Sequence, residues 1–136
     1  MTTLKEKIAN EMISDYSNAL ERNFELAKRF IRVTNDGKVE IIYKESFSGE
    51  ELIQLYCIGK QYAFEAGLSK SKGVDNNELK DELGKSIGSI LPWLKTLRDK
   101  RKIVQDNSKS LSEHFISTNL IEPTLNALNK KYNKTS

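Results

Sequence analysis

The chain reads as a mainly α fold with one small β-hairpin (α+β), in which two helices joined by a tight turn are followed at once by a pair of short strands. Three observations predict this. Helix-start signals and a left-handed stop crowd into residues 74–86, apolar residues recur at helical spacing over most of the chain, and the β-rich runs are short and lie beside turn residues.

From Leu4 to about Arg32 there is no proline or glycine, and Leu4, Ile8, Met12, Tyr16, Leu20, Ala27 and Ile31 keep helical spacing. The spacing predicts one long helix, or two broken near Ser17-Asn18. Asn35-Asp36-Gly37 is a turn signal, and Lys38–Lys44 after it reads as a strand that must find a partner, in the later hairpin or in a second subunit. Ser48-Gly49-Glu50-Glu51 is a capping box stapled by Phe47 and Leu52, and the helix it opens runs to Gly67. Cys57 and Gly59 inside it read as packing residues, and residues 68–73 as a flexible connector.

Asp75 can cap the next helix through the Glu78 amide while the Glu78 side chain reaches back, with Val74 and Leu79 as the staple. Gly84 ends that helix in the left-handed conformation, and Ser86 caps the one that follows. There Ile90, Leu94 and Leu97 form an inward stripe beside Trp93, which leaves Gly88, Pro92 and Lys95 on the free face. The helix ends in Arg98, Lys100, Arg101 and Lys102, cations that suit its C-terminal dipole. Residues 103–105 and 115–117 read as strands of a hairpin. Residues 119–132 then close the chain as a helix striped by Ile121, Leu125, Leu128 and Tyr132.

At 136 residues the chain can bury one core, divisible into a supporting segment 1–45, a central domain 46–118 and a closing helix 119–136. With Cys57 as its sole cysteine it forms no internal disulfide, and a reducing compartment is expected. The opening MTTLKEKIANEM lacks a signal-peptide core and no apolar run is long enough for a bilayer, so a cytoplasmic, nucleoid-associated location without membrane contact is expected.

The net charge of +3 is unevenly spread. Residues 1–45 carry 8 basic and 8 acidic groups, residues 46–84 carry 4 and 7, and residues 85–136 carry 10 and 4. The basic excess begins at Lys85, where a nucleic-acid surface would need it.

The order Glu78-Leu79, Leu83-Gly84, Ser86, Ile90, Leu94, Leu97-Arg98-Asp99-Lys100 and Ile103-Val104 resembles the helix-turn-helix of MarR- and ArsR-type winged-helix regulators. The resemblance implies a winged helix-turn-helix fold whose second helix, residues 86–102, enters the major groove of double-stranded DNA. It departs from that pattern at Pro92, where a polar or basic reader is usual, and at Arg101, which replaces a helix-ending glycine. On this reading Lys85, Ser86, Ser89, Pro92, Lys95, Thr96, Lys102 and the wing residue Lys109 form the DNA-binding set, and Ile121, Leu125, Leu128 and Tyr132 pair in a homodimer.

Chemistry of other kinds has little to stand on. His114 is the only histidine and reads as a partly exposed structural residue; Cys57 has no neighbouring base; and the carboxylate pairs Glu50-Glu51 and Asp81-Glu82 diverge on their helices. Gly84-Lys85-Ser86 imitates the end of a phosphate loop without its earlier glycine or strand. No enzyme, metal site or cofactor is expected, and no effector is specified. Two rivals to a transcriptional regulator stay open: a sequence-nonspecific architectural DNA-binding protein, and a winged-helix module whose exposed Leu91 and Pro92 contact another protein.

Overall fold

A computed structural model describes residues 3–11, 18–108 and 110–132, and these form an α+β fold with seven α-helices and two small antiparallel sheets. The first segment departs from a single long helix. It divides into α1 (Leu4–Glu11), α2 (Ala19–Arg22) and α3 (Phe24–Ala27), then turns into strand β1 (Ile31–Val33). Asn23 separates α2 from α3 with φ −103° and ψ 12°, and its side-chain amide donates to the Ala19 carbonyl at 2.8 Å, so a side chain competes with the helical ladder. Met12, Tyr16 and Ser17 lie outside the described residues.

The strand read over 38–44 is shorter, β2 (Val39–Ile41), and its partner lies neither in the later hairpin nor in a second subunit. It pairs with β1, Ile31 opposite Ile41 and Val33 opposite Val39. Helical spacing at Ile31 is overridden because β-branched residues in a two-strand ribbon bury Ile31 and Val39 together against the next helix.

That helix, α4 (Gly49–Glu65), is the centre of the molecule. Its capping box is complete: Ser48 Oγ accepts from the Glu51 amide and the Glu51 carboxylate accepts from the Ser48 amide at 2.8 Å. Leu52, Ile53, Leu55, Tyr56, Cys57 and Ile58 are all buried, so every side of the helix is covered. A Cβ on Gly59 would overlap Val39, and one on Gly49 would overlap the Trp93 ring; small residues here let the hairpin and a later helix approach from opposite ends.

The connector after α4 is ordered by its own hydroxyls. Ser69 Oγ donates to the Ser71 carbonyl at 2.8 Å, and Ser71 Oγ accepts from the Gly73 amide and donates to Glu113 at 2.7 Å. It leads into a strand absent from the sequence reading, β3 (Val74–Asp75), followed by α5 (Asn76–Leu83), the turn at Gly84, and α6 (Ile87–Asp99). Strands β4 (Val104–Asp106) and β5 (Glu113–Phe115) form the hairpin, and β3 adds to β5, giving the order β3-β5-β4.

The last helix, α7 (Thr118–Tyr132), corrects the dimer assignment. Ile121 and Leu125 are fully buried and Leu128 nearly so, all within the chain's own core. Tyr132 stacks edge-on against Phe47 and its hydroxyl donates to Glu51 at 2.7 Å. Burial works to raise the Glu51 carboxyl, but the Ser48 amide, the Tyr132 hydroxyl and Lys131 outweigh it and hold the group below its usual range. The apolar stripe of α7 is spent inside the chain, so these four residues are not a free subunit face.

Candidate nucleic-acid interface

The two helices α5 and α6 are set at their ends by the residues expected to do so. Asp75 accepts from the Glu78 amide at 2.8 Å, and Gly84 takes φ 66° after the last turn of α5. Ser86 Oγ accepts from the Ser89 amide at 3.3 Å, and the two hydroxyls lie 3.1 Å apart. Ile90, Leu94 and Leu97 have no exposed surface, which fixes the rotation of α6 and turns its opposite face outward.

On that face Lys85, Gly88, Leu91, Pro92 and Lys95 are exposed, while Ser89 and Thr96 are half-buried. The outward surface therefore opens on Lys85, is apolar through the first turns of α6, and then carries Lys95 with exposed Asp99 one turn further on. Pro92 lies inside the helix without breaking it; its missing N–H leaves only the Gly88 carbonyl, in the first turn and exposed, without a helical partner.

The basic run at the end of α6 does not act as one patch. Arg98 is half-buried beside His114, Lys100 stands 3.9 Å from Glu50, and Lys102 lines a groove with Glu50, Glu51 and Lys131. Arg101 occupies the position that glycine usually takes, at φ 59°, and the Lys102 amide closes the helix end on the Leu97 carbonyl at 2.8 Å. Of the expected set, Lys85, Ser86, Ser89, Pro92, Lys95 and Thr96 thus share α6 or its cap, Lys102 points toward the α4–α7 groove, and Lys109 lies outside the described residues.

The described residues of the loop between β4 and β5 bond to one another. Asp106 accepts from the amide and hydroxyl of Ser108, and Asn107 accepts from Gln105 and Ser112. Leu111 stands exposed on it.

Two polar features escaped the sequence reading. His114 is buried rather than partly exposed: it sits on the central strand of its sheet, and its Nε2 lies 2.7 Å from Asn76 Oδ1, the first residue of α5. Burial, with Arg98 adding to it, lowers its pKa to about 4, so the ring is neutral and donates from Nε2. Lys60 is also buried. Its ammonium lies 3.1 Å from Glu78 and donates to the Gly37 carbonyl at 3.2 Å, while the Tyr56 hydroxyl donates to the same carboxylate at 2.6 Å. Glu78 therefore turns toward α4 instead of reaching back to cap its own helix. Cys57 is sealed in the same helix, its thiol pushed up to about 12 by burial, which removes it from thiolate chemistry at neutral pH.

Among the described residues no cluster of histidine, cysteine, aspartate or glutamate could hold a metal ion, and no helix is long and apolar enough to cross a membrane. No protein-family model, curated protein or solved structure matches the chain.

Proposed function

We propose that the chain binds double-stranded DNA as a winged helix-turn-helix transcriptional regulator, with α6 in the major groove and the β4–β5 loop as the wing. The observation that carries this reading is the outward face of α6. It is held clear of the core by three fully buried residues, begins beside exposed Lys85, carries exposed Lys95, and is followed immediately by a three-stranded sheet whose hairpin lies next to it in sequence.

Direct base reading is weak on this account. The usual bidentate base readers are arginine for guanine and asparagine or glutamine for adenine, and before the half-buried Arg98 the outward face offers only lysine, which lacks their planar fork. Binding then rests on phosphate contacts, with Lys85 and Lys95 as point charges. Such contacts weaken steeply with salt. Lys85→Ala and Lys95→Ala should each lower the salt slope of duplex binding by about one, with little change in sequence preference. Anisotropy titrations on mixed genomic fragments from low to physiological salt measure this; absence of a complex even at low salt overturns the reading.

A second reading is favoured by one observation: Ile87 and Leu91 on the same face are 39% and 46% exposed. An apolar tip suits a protein partner better than a phosphate backbone. Loss of DNA binding in the titration above, with a partner complex that Leu91→Asp abolishes, would replace DNA by protein. Selection from a random sequence pool separates a regulator, which enriches a motif, from an architectural protein, which enriches none. A homodimer of this regulator would have to use a surface other than the apolar stripe of α7; Leu4 and Ile8 on α1 are exposed apolar residues one turn apart.

A further inference from the structure

Tyr43 is the most exposed aromatic residue described, at 71%, and its hydroxyl has no hydrogen-bond partner among the described residues. It also holds φ 57° and ψ 43°, the left-handed region that costs a side chain and that glycine adopts freely. Nothing in the packing requires this ring, so the backbone would be better served by glycine. Lys44 follows it at the start of a 3-10 turn (Lys44–Ser46), and its ammonium donates to the Glu82 carbonyl at 3.0 Å. A Cβ on Gly84 would lie 3.8 Å from the same ammonium. Lys44 therefore sits against the turn between α5 and α6, with Lys85 and Ser86 the next residues along. The segment that follows β2, outside the two helices and the wing, brings a cation to the turn before α6, beside Glu40 and Glu82, and the exposed phenol of Tyr43 precedes that cation in the chain.

We propose that Tyr43 and Lys44 form a further DNA contact, gripping the sugar–phosphate backbone beside the start of α6. The Tyr43 hydroxyl donates to a phosphate oxygen, its ring covers the adjacent deoxyribose, and Lys44 pairs with Lys85 in neutralising neighbouring phosphates. One of the three ammonium protons of Lys44 is taken by Glu82, which aims the group and leaves two for the nucleic acid. The left-handed backbone at Tyr43 turns the ring outward, a local strain kept where a ligand can use it.

This inference rests on the DNA-binding reading, and the experiment keeps the two apart. Duplex DNA binding is titrated against salt for the full chain and for Tyr43→Phe, Tyr43→Gly and Lys44→Ala, with thermal unfolding of each variant. Tyr43→Phe should weaken binding about tenfold, the loss of one hydrogen bond to a charged acceptor. Lys44→Ala should lower the salt slope by about one. Tyr43→Gly should melt at a higher temperature than the parent yet bind more weakly, a combination that a purely structural tyrosine cannot give. Parental affinity and salt slope in all three variants, with the parent chain binding DNA, overturns the contact alone. A parent chain that binds no duplex at low salt overturns both the contact and the reading beneath it.

Discussion

Arg101 and His114 show how a single residue departs from what its neighbours in sequence suggest. Arg101 stands where a helix end favours glycine, and the structure holds it there at φ 59° with the Lys102 amide bonded to Leu97. Releasing that strain should make Arg101→Gly more stable by about 1 kcal/mol. Urea unfolding measures it, and equal or lower stability would show that the guanidinium makes a contact worth the strain. For His114 the folded pKa of about 4 lies below the ordinary 6.5, so between those values the unfolded chain binds the proton and the native chain does not. Stability should therefore be unaffected above neutrality and fall as pH drops from about 6.5 toward 4, by up to ~1.4 kcal/mol per pH unit. His114→Gln, which keeps a donor for Asn76, should flatten that part of the profile. The lone histidine was visible in the sequence. Its burial was not, because the sheet's third strand, Val74–Asp75, is two residues long and carries no alternation to read.

At the scale of elements, the junction between α4 and α5 depends on a carboxylate whose role changed with its surroundings. Glu78 has the spacing of a reciprocal cap, yet the buried Lys60 ammonium and the Tyr56 hydroxyl draw it to the neighbouring helix. Lys60 and Glu78 are largely out of water, with side-chain exposures of 7% and 15%. Without the Lys60 ammonium Glu78 keeps the Tyr56 hydroxyl and Lys38 at 3.5 Å, so Lys60→Ala should cost less than the ~3 kcal/mol of a buried charge left unpaired, and adding Glu78→Gln should recover part of that loss. Chemical denaturation of the single and double variants tests this; additive costs would mean that the pair does not interact. A lysine on a helix reads as solvated from sequence, since helical spacing says which face it shares but not that the β1–β2 hairpin will cover that face. Gly49 illustrates the same limit: its place in a capping box was legible, whereas the Trp93 ring lying where its Cβ would be was not.

Across the whole molecule one core takes residues from every segment: Ala27, Phe30, Ile31 and Val39 from the first, α4 through α6 from the middle, and Ile121, Leu125 and Leu128 from the last. Charged substitutions at Ile121 or Leu125 should accordingly unfold the chain rather than separate subunits. Circular dichroism together with sedimentation distinguishes these, and a folded monomer from Ile121→Asp would restore the subunit-face reading. Local signals were sufficient wherever a short stretch satisfies its own backbone: the Ser48 capping box, the Asp75 and Ser86 caps, the Gly84 stop, and the inward stripe Ile90, Leu94, Leu97 all stand where the sequence puts them. So does the short hairpin after α6, shifted by a residue or two. Tertiary structure alone decided the rest. It turned the end of the first segment from helix to strand, because Ile31 and Val33 gain more by pairing with Val39–Ile41 and covering α4 than by continuing a helical turn. It added β3 to the hairpin, buried Lys60 and His114, and brought Lys44 to the turn before α6. It also consumed the stripe of α7. Periodicity says that a face is apolar; which surface covers it depends on where the other elements of the chain come to lie.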